Sequence, residues 1–294
     1  VTTPNALPQI GFIGTGNIGQ PIIRSMLRAG YPVAVWNRTP ARYADLVAAG
    51  ATATATPREL AAKSDILCAM LVEAAHLDAL LDGNDGILAG VKPGSIFIDM
   101  ATSGPRHAQW LEGVFAKKSV AALDVPVQGG VKAAVDATLT VMAGGSKEAF
   151  DRALPLLQSI GKKIVYVGGA GSGQLTKLCH QVVLAVTLEA IAEAFALAKT
   201  FGADQAAVHE VLSNGLASGP IFKNSAHRIA TRDWTPGRPM WLYEKDGVNL
   251  AETLAGTSMD LPIAREVFER IHKVVEGGSG DRDEMVLYTL LDPG

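Results

Sequence analysis

The stretch Gly11-Phe-Ile-Gly14-Thr15-Gly16-Asn17-Ile18-Gly19 constrains this chain more than any other. It ends a short apolar run, Ile10–Ile13, which predicts a strand, and it opens into an amphipathic helical pattern from Gln20 to Ala29, stopped by Gly30. The three spaced glycines have separate roles. Gly14 allows the tight turn, Gly16 lets a ligand approach bare backbone, and Gly19 lets helix pack closely on strand. The unpaired N–H groups at the helix N-terminus suit a phosphate. Strand, glycine turn and helix in this order predict a dinucleotide site built on Gly14, Thr15, Gly16, Asn17 and Ile18.

The 294 residues, 48% of them hydrophobic and 19% charged, are enough for a large core and two domains. A formal net charge of -3 without charge runs gives no footprint for nucleic acid or an anionic membrane. The N-terminal segment lacks the pattern of an export signal, and no apolar run approaches the length that spans a bilayer. The expectation is therefore a cytoplasmic protein with a small-molecule partner and neither a nucleic-acid nor a membrane partner. Cys68 and Cys179 have no CxxC spacing and sit in apolar contexts, which predicts reduced core cysteines. The six histidines show no ligand spacing, so no metal is expected.

Val33–Trp36 is the second strand. The residue ending it meets the adenosine ribose in a dinucleotide fold, where an acid would hold the 2′-hydroxyl. Here the chain reads Asn37-Arg38-Thr39. A guanidinium in place of the acid favours a 2′-phosphate, so NADP(H) is the expected cofactor, although the same residues also make a polar turn before the next helix. Arg42, one turn on, reads as a further phosphate contact or as a solvated residue. Short strands and helices keep alternating, the pattern of a parallel sheet covered on both faces. Thr56 and Pro57 open a helix to Ser64, and Ile66–Val72 reads as a buried strand whose edge, Leu71 and Val72, lies beside the cofactor. Ser95–Met100 follows, then Ala101-Thr102-Ser103-Gly104-Pro105, placed for the nicotinamide half. Thr102 is assigned to the cofactor, and Ser103 reads equally as an N-cap or a substrate contact. Ala121–Val127 and Leu139–Ala143 are further strands, flanking Gln128, Gly129 and Gly130, whose bare N–H groups form a nest for a carboxylate. Ser146 caps a helix Lys147–Ile160, and Lys163–Val167 is the last strand.

The glycine-rich segment Gly168–Gly173 marks the boundary, giving a nucleotide-binding domain over 1–168 and an all-helical substrate and dimerisation domain over 169–294. Ser172–Phe201 is one long helical pattern, apolar on more than one face, which predicts burial between domains or subunits. Further helices are expected near Asp204–Asn214, Leu242–Ala255, Leu261–Val275 and Asp283–Leu291. Near the start of the long helix, Lys177, His180 and Gln181 share one face at i, i+3 and i+4. A buried ammonium without a counter-charge loses solvation and yields its proton more readily, as a general base requires. A lysine whose stem is buried while its head reaches water has the same spacing.

The motifs Gly14-Thr-Gly16-Asn-Ile-Gly19, Asp124-Val-Pro126-Val-Gln-Gly129-Gly130, Gly171-Ser-Gly173-Gln-Leu-Thr-Lys177 and Lys245-Asp246, in this order, resemble the β-hydroxyacid dehydrogenase family. That family includes 3-hydroxyisobutyrate dehydrogenase, tartronate semialdehyde reductase and glyoxylate/succinic semialdehyde reductases. The resemblance covers almost the whole chain. It implies an α/β Rossmann domain followed by an all-α C-terminal domain joined by a long interdomain helix, and a homodimer or homotetramer. It also implies that Lys177 is the proton donor and acceptor, that Gly129 and Gly130 receive a substrate carboxylate, and that Lys245 and Asp246, assigned to the cofactor, close the site from the helical domain. The Asn37-Arg38-Thr39 turn is similar to that of NADP-using members. Departures are Gln128 where the family has serine, and His180 and Gln181 where it has asparagine. Gln181 then supplies the amide, and His180 reads as a residue of the substrate pocket, which it reaches from the face it shares with Lys177, or as a satisfied helix histidine. Gly247 replaces a leucine after Lys-Asp, which suggests local room or mobility.

The resemblance implies an NADP(H)-dependent oxidoreductase that moves a hydride between nicotinamide and a small β-hydroxy acid or its semialdehyde or keto form. Three other readings stand beside it: a dehydrogenase of β-hydroxy-α-amino acids, an imine reductase, and a non-catalytic NADPH-binding scaffold. Lys177 argues against the last two, whose members typically lack it.

Overall fold

The computed structural model of this protein describes residues 7–292. Their packing forms two units, which meet in sequence between Lys177 and Leu178, inside the long helix.

The first unit is built on a nine-stranded sheet. In chain order the strands are β1 (Ile10–Ile13), β2 (Val33–Trp36), β3 (Thr52–Ala53), β4 (Ile66–Ala69), β5 (Ile96–Asp99), β6 (Ala121–Asp124), β7 (Val127–Gln128), β8 (Leu139–Gly145) and β9 (Gly161–Gly168). The spatial order is β3-β2-β1-β4-β5-β6-β8-β7, with β9 paired to β8. From β3 to β6 every pairing is parallel, and β8 returns antiparallel to β6. The 3-2-1-4-5-6 order of parallel strands is the Rossmann arrangement, which opens a crevice at the carboxyl ends of the strands where the order reverses beside β1.

Strands covered on both faces must be apolar throughout, and Ile-Gly-Phe-Ile, Val-Ala-Val-Trp and Ile-Leu-Cys-Ala are. The period of two divides them between two cores. Ile10, Phe12, Ile66, Cys68 and Ile98 face one, with Ile22 and Met26 of the helix Gly19–Arg28. Ile13, Leu67, Ala69 and Phe97 face the other, with Leu111 and Phe115 of the helix Pro105–Ala116. There Phe97 stacks on Phe115 with centroids 4.2 Å apart.

Local signals set most element ends. Thr56 caps the helix Pro57–Lys63 by accepting the Glu59 N–H at 3.1 Å, and Ser146 caps Lys147–Gln158 by accepting the Ala149 N–H at 3.3 Å. Some expectations fail. β4 stops at Ala69, before Leu71 and Val72, and the strand expected over 121–127 breaks at Val125-Pro126, where proline has no N–H to donate. The N-cap reading of Ser103 is overturned. The helix begins at Pro105 with Gly104 as its cap, without a side-chain cap bond.

The second unit is helical. Its core gathers Leu188, Ala192 and Phe195 of the long helix Ser172–Thr200, Phe222 and Ile229 of Pro220–Thr231, Tyr243 of Trp241–Leu254, and Val267 and Ile271 of Pro262–Val274. The helix Gln205–Ser213 precedes these, and Glu284–Leu290 follows as a 3-10 helix where an α-helix was expected. The helix Pro220–Thr231 was not anticipated, although proline at its first position and apolar residues at 222, 226 and 229 are its signature.

Three sequence expectations are corrected here. Gly247 does not provide room, because a β-carbon there would lie 2.7 Å from Cδ1 of Phe268, whose ring fills the space. Cys68 is buried as expected, but Cys179 is exposed, on a face of the long helix that also exposes Leu175 and Val183. The long helix itself, with a mean hydropathy of 1.7 over eighteen residues, is long and apolar enough to cross a bilayer by length and composition. From Ala185 to Phe195 it contributes to the core of this unit, and the polar side chains of Gln181 and Glu189 are buried along it.

Candidate active site

At the carboxyl ends of β1, β2 and β4 a cleft of about 400 Å³ opens, lined by Gly14 and Gly16, by Asn37, Arg38 and Thr39, and by Leu71 and Val72. The structure thus brings together seven of the residues assigned to the cofactor from three separate stretches of sequence. It adds His76 and Arg42 to the same walls. His76, on the short helix after β4, had no local signal to mark it.

The glycines divide by what surrounds them. Gly14 has φ +95°, and a β-carbon there would lie 2.2 Å from the Met70 carbonyl oxygen. At Gly19 it would lie 2.0 Å from the Gly14 carbonyl oxygen, so the first turn of the helix packs directly on the fingerprint turn. At Gly16 it would meet nothing within 4 Å. No protein atom requires a glycine at 16, whereas a pyrophosphate approaching the backbone does. Asn37 joins the end of β2 to this turn. Its Oδ1 accepts the Thr15 N–H at 3.4 Å and its Nδ2 donates to the Thr39 carbonyl at 3.1 Å. Arg38 is exposed, while the Thr15 side chain is fully buried and its hydroxyl has no hydrogen-bond partner among the described residues. A cleft of this size, with exposed guanidinium groups and an open side at Gly16, fits a nicotinamide dinucleotide.

A second cluster follows β5 and β6. Asp99 ends β5 and turns its carboxylate on the next loop, accepting the Ala101 N–H at 3.0 Å and the Ser103 hydroxyl at 2.6 Å. Asp124 ends β6 and accepts the N–H groups of Gly171 at 2.9 Å and Gln174 at 2.8 Å, so a buried carboxylate caps the long helix. Burial pushes the Asp124 carboxyl up from 3.8 to about 6 against the pull of these N–H groups, and the nearby Asp99 adds to the rise. The Gln174 side chain accepts from the N–H groups of Ser103 and Gly104 and donates to the Ala101 carbonyl. Ser103 is therefore held by protein groups on both its hydroxyl and its N–H.

Lys177 lies three residues after Gln174. Its side chain is buried, and Nζ donates to the Val127 carbonyl at 3.0 Å. Val127 directly precedes Gln128, Gly129 and Gly130, so the ammonium is set beside the glycine pair. Gly129 and Gly130 have φ of +126° and +68°, and the Cβ side of Gly130 faces open space.

In the second unit Asp246, also buried, accepts from the Gln181 side-chain amide and from Arg238 Nη2 at 2.9 Å, with Lys245 Nζ 3.7 Å from its other oxygen. A carboxylate only accepts, which turns the Gln181 amide nitrogen toward Asp246 and its oxygen toward His180 Nδ1, 2.8 Å away. Arg238 also stacks over the Tyr243 ring, 4.1 Å from its centroid. Sequence reasoning gave no role to Arg238, Asp99, Asp124 or Gln174. The last two stand inside recognised motifs, and that was their signal.

Comparison with known proteins covers both units. A model of the NAD-binding domain of 6-phosphogluconate dehydrogenase matches residues 9–168, and one of the NAD-binding region of NADP-dependent 3-hydroxyisobutyrate dehydrogenase matches residues 171–291. The chain is 31% identical to an NAD-dependent L-serine dehydrogenase of Pseudomonas aeruginosa, over 98% of this chain and 99% of that protein. It is 30% identical to the 2-hydroxy-3-oxopropionate reductase of Escherichia coli, over 97% of each. A solved structure of a Mycobacterium tuberculosis 3-hydroxyisobutyrate dehydrogenase with L-serine is similar with a TM-score of 0.89 and 28% identity, over 97% of this chain and 99% of that one.

Proposed function

The chain belongs to the β-hydroxyacid dehydrogenase family, nicotinamide-dependent oxidoreductases of small hydroxy acids, and from that premise we propose that it is an NADP(H)-dependent 3-hydroxyacid dehydrogenase with Lys177 as its general acid and base. The observation that carries the reading is the buried Lys177 ammonium, 3.0 Å from the Val127 carbonyl and beside the Gln128–Gly130 turn.

When bound, the nicotinamide supplies or takes up the hydride. Lys177 does the accompanying proton work: in oxidation a neutral Nζ takes the substrate hydroxyl proton, and in reduction the ammonium returns one to the nascent alkoxide. The N–H groups at Gly129 and Gly130 receive the substrate carboxylate, with Gln128 beside them. Gly14 to Ile18 hold the pyrophosphate. Leu71, Val72 and Thr102 flank the rest of the dinucleotide. Arg38, exposed in the cleft where an acid would select NAD, favours the 2′-phosphate by about 1.5–3 kcal/mol, a roughly ten- to hundredfold preference for NADP(H). The exposed apolar face at Leu175 and Val183 supports a homodimer or homotetramer.

Identity to an enzyme named for L-serine favours one second reading, a β-hydroxy-α-amino acid as substrate. Both are tested by absorbance in the NADPH band, with NADP and NAD, across 3-hydroxy acids, β-hydroxy amino acids and semialdehydes, with Lys177→Ala alongside. NADP-preferring turnover that disappears in the variant is expected. Turnover that survives Lys177→Ala refutes the assignment of the base, and silence across the panel with NADPH bound refutes the substrate class.

A further inference from the structure

Gln174 is fully buried one turn before Lys177 on the long helix, and both ends of its amide are engaged with a single loop. Its Oε1 accepts the Ser103 N–H at 3.0 Å and the Gly104 N–H at 3.3 Å, and its Nε2 donates to the Ala101 carbonyl at 2.8 Å. That loop leaves the carboxyl end of β5, on the sheet edge where the dinucleotide cleft opens. The helix turn that carries Gln174 is itself pinned by Asp124, which accepts the Gln174 and Gly171 N–H groups. Gly144 and Gly173 let this carboxylate come close, since β-carbons there would lie 2.5 Å from its Oδ1 and 2.4 Å from the Asp124 carbonyl oxygen. No water is needed to complete these bonds, and each joins groups about fifty to seventy residues apart in sequence.

We propose that Gln174 is a positioning residue for Lys177: its amide fixes the Ala101–Gly104 loop against the helix turn that presents the ammonium. The inference rests on the reading of Lys177 as the proton-transfer group. Without the amide, two buried N–H groups and one carbonyl lose their partners, which drives the loop to rearrange. A shift of about 1 Å between reacting groups lowers a rate by roughly a hundredfold. Ground-state binding on the far side of the dinucleotide, at Arg38 and Gly16, is unaffected.

Two substitutions separate positioning from packing. Gln174→Met keeps the length and removes all three bonds. Gln174→Glu keeps the acceptor for Ser103 and Gly104, and its second oxygen, facing the Ala101 carbonyl, donates there only when protonated. Amide hydrogen exchange at Ser103 and Gly104, Tm, and kcat and KM for cofactor and substrate are measured for both, for wild type and for Lys177→Ala. Gln174→Met is expected to lose protection at both amides and about a hundredfold in kcat, with cofactor KM within about threefold. Gln174→Glu is expected to keep the protection and most of kcat. Wild-type kcat in Gln174→Met with the protection gone overturns the inference, as does a kcat that follows Tm across the two variants irrespective of protection. If Gln174→Met does not fold, Gln174→Glu decides alone: low kcat with protection and Tm intact overturns it. An active Lys177→Ala removes the base and this role together, whereas an inactive Lys177→Ala beside a fully active Gln174→Met removes this inference only.

Discussion

Replacing Asp124 by asparagine probes a competition that the fold sets up between burial and helix capping. The carboxylate accepts two N–H groups at the start of the long helix, which stabilises the ion, yet it is enclosed by Gly144, Gly173 and the sheet, and burial wins, lifting it from 3.8 to about 6. A carboxyl raised on folding binds its proton more tightly in the folded state. Its contribution to stability is therefore fully present below the unfolded value and is lost as pH rises through about 6. The gap from 3.8 to about 6, at ~1.36 kcal/mol per pH unit, amounts to about 3 kcal/mol. Asparagine cannot ionise, and it presents an amide nitrogen to one of the two helix N–H groups, so the variant carries a pH-independent cost of about 1–3 kcal/mol for a buried donor left unpaired. Unfolding free energies from urea titrations at pH 4, 5, 6 and 7 on both proteins isolate the Asp124 contribution by difference. The wild-type advantage should shrink by about 2.4 kcal/mol from pH 4 to pH 7. An advantage that grows with pH would show that the two N–H groups outweigh burial, and would refute the reasoning.

Two glycine positions of the fingerprint make opposite predictions. Gly19→Ala should lower Tm sharply, since its β-carbon meets a carbonyl oxygen at 2.0 Å, while Gly16→Ala, which meets nothing within 4 Å, should keep Tm and weaken NADPH binding at least ~10-fold in a fluorescence titration. Gly247→Ala should destabilise the protein by about 1–3 kcal/mol in thermal unfolding, because the Phe268 ring occupies the space. Arg38→Ala should weaken binding of 2′,5′-ADP by roughly ten- to a hundredfold and leave that of 5′-AMP within about threefold by calorimetry.

Much of the first unit was legible because its signals are local. A strand, a tight turn and a helix start depend on residues within a few positions of one another, so β1, the glycine turn, the helix after it and the caps at Thr56 and Ser146 are written in consecutive letters. The continuous apolar runs of β1, β2, β4 and β5 likewise announce a sheet covered on both faces. The second unit was less legible. Its helices read from spacing, but Pro220–Thr231 was missed and the last helix proved to be 3-10.

What the sequence by itself determined is the class of the fold, the fingerprint turn, and which polar side chains stand out along the chain. Only tertiary structure decided their partners. Ser103 read as a cap or a ligand contact from its neighbours, yet its hydroxyl goes to Asp99 and its N–H to Gln174, seventy-one residues away. Gly247 read as slack until Phe268 filled it, and Cys179 read as core until the helix turned it outward. Lys177 gained its setting from Val127, fifty residues earlier. A side chain's local propensity is fixed by the few residues around it, but its burial and its hydrogen bonds are fixed by whichever distant strand or helix the whole fold brings against it.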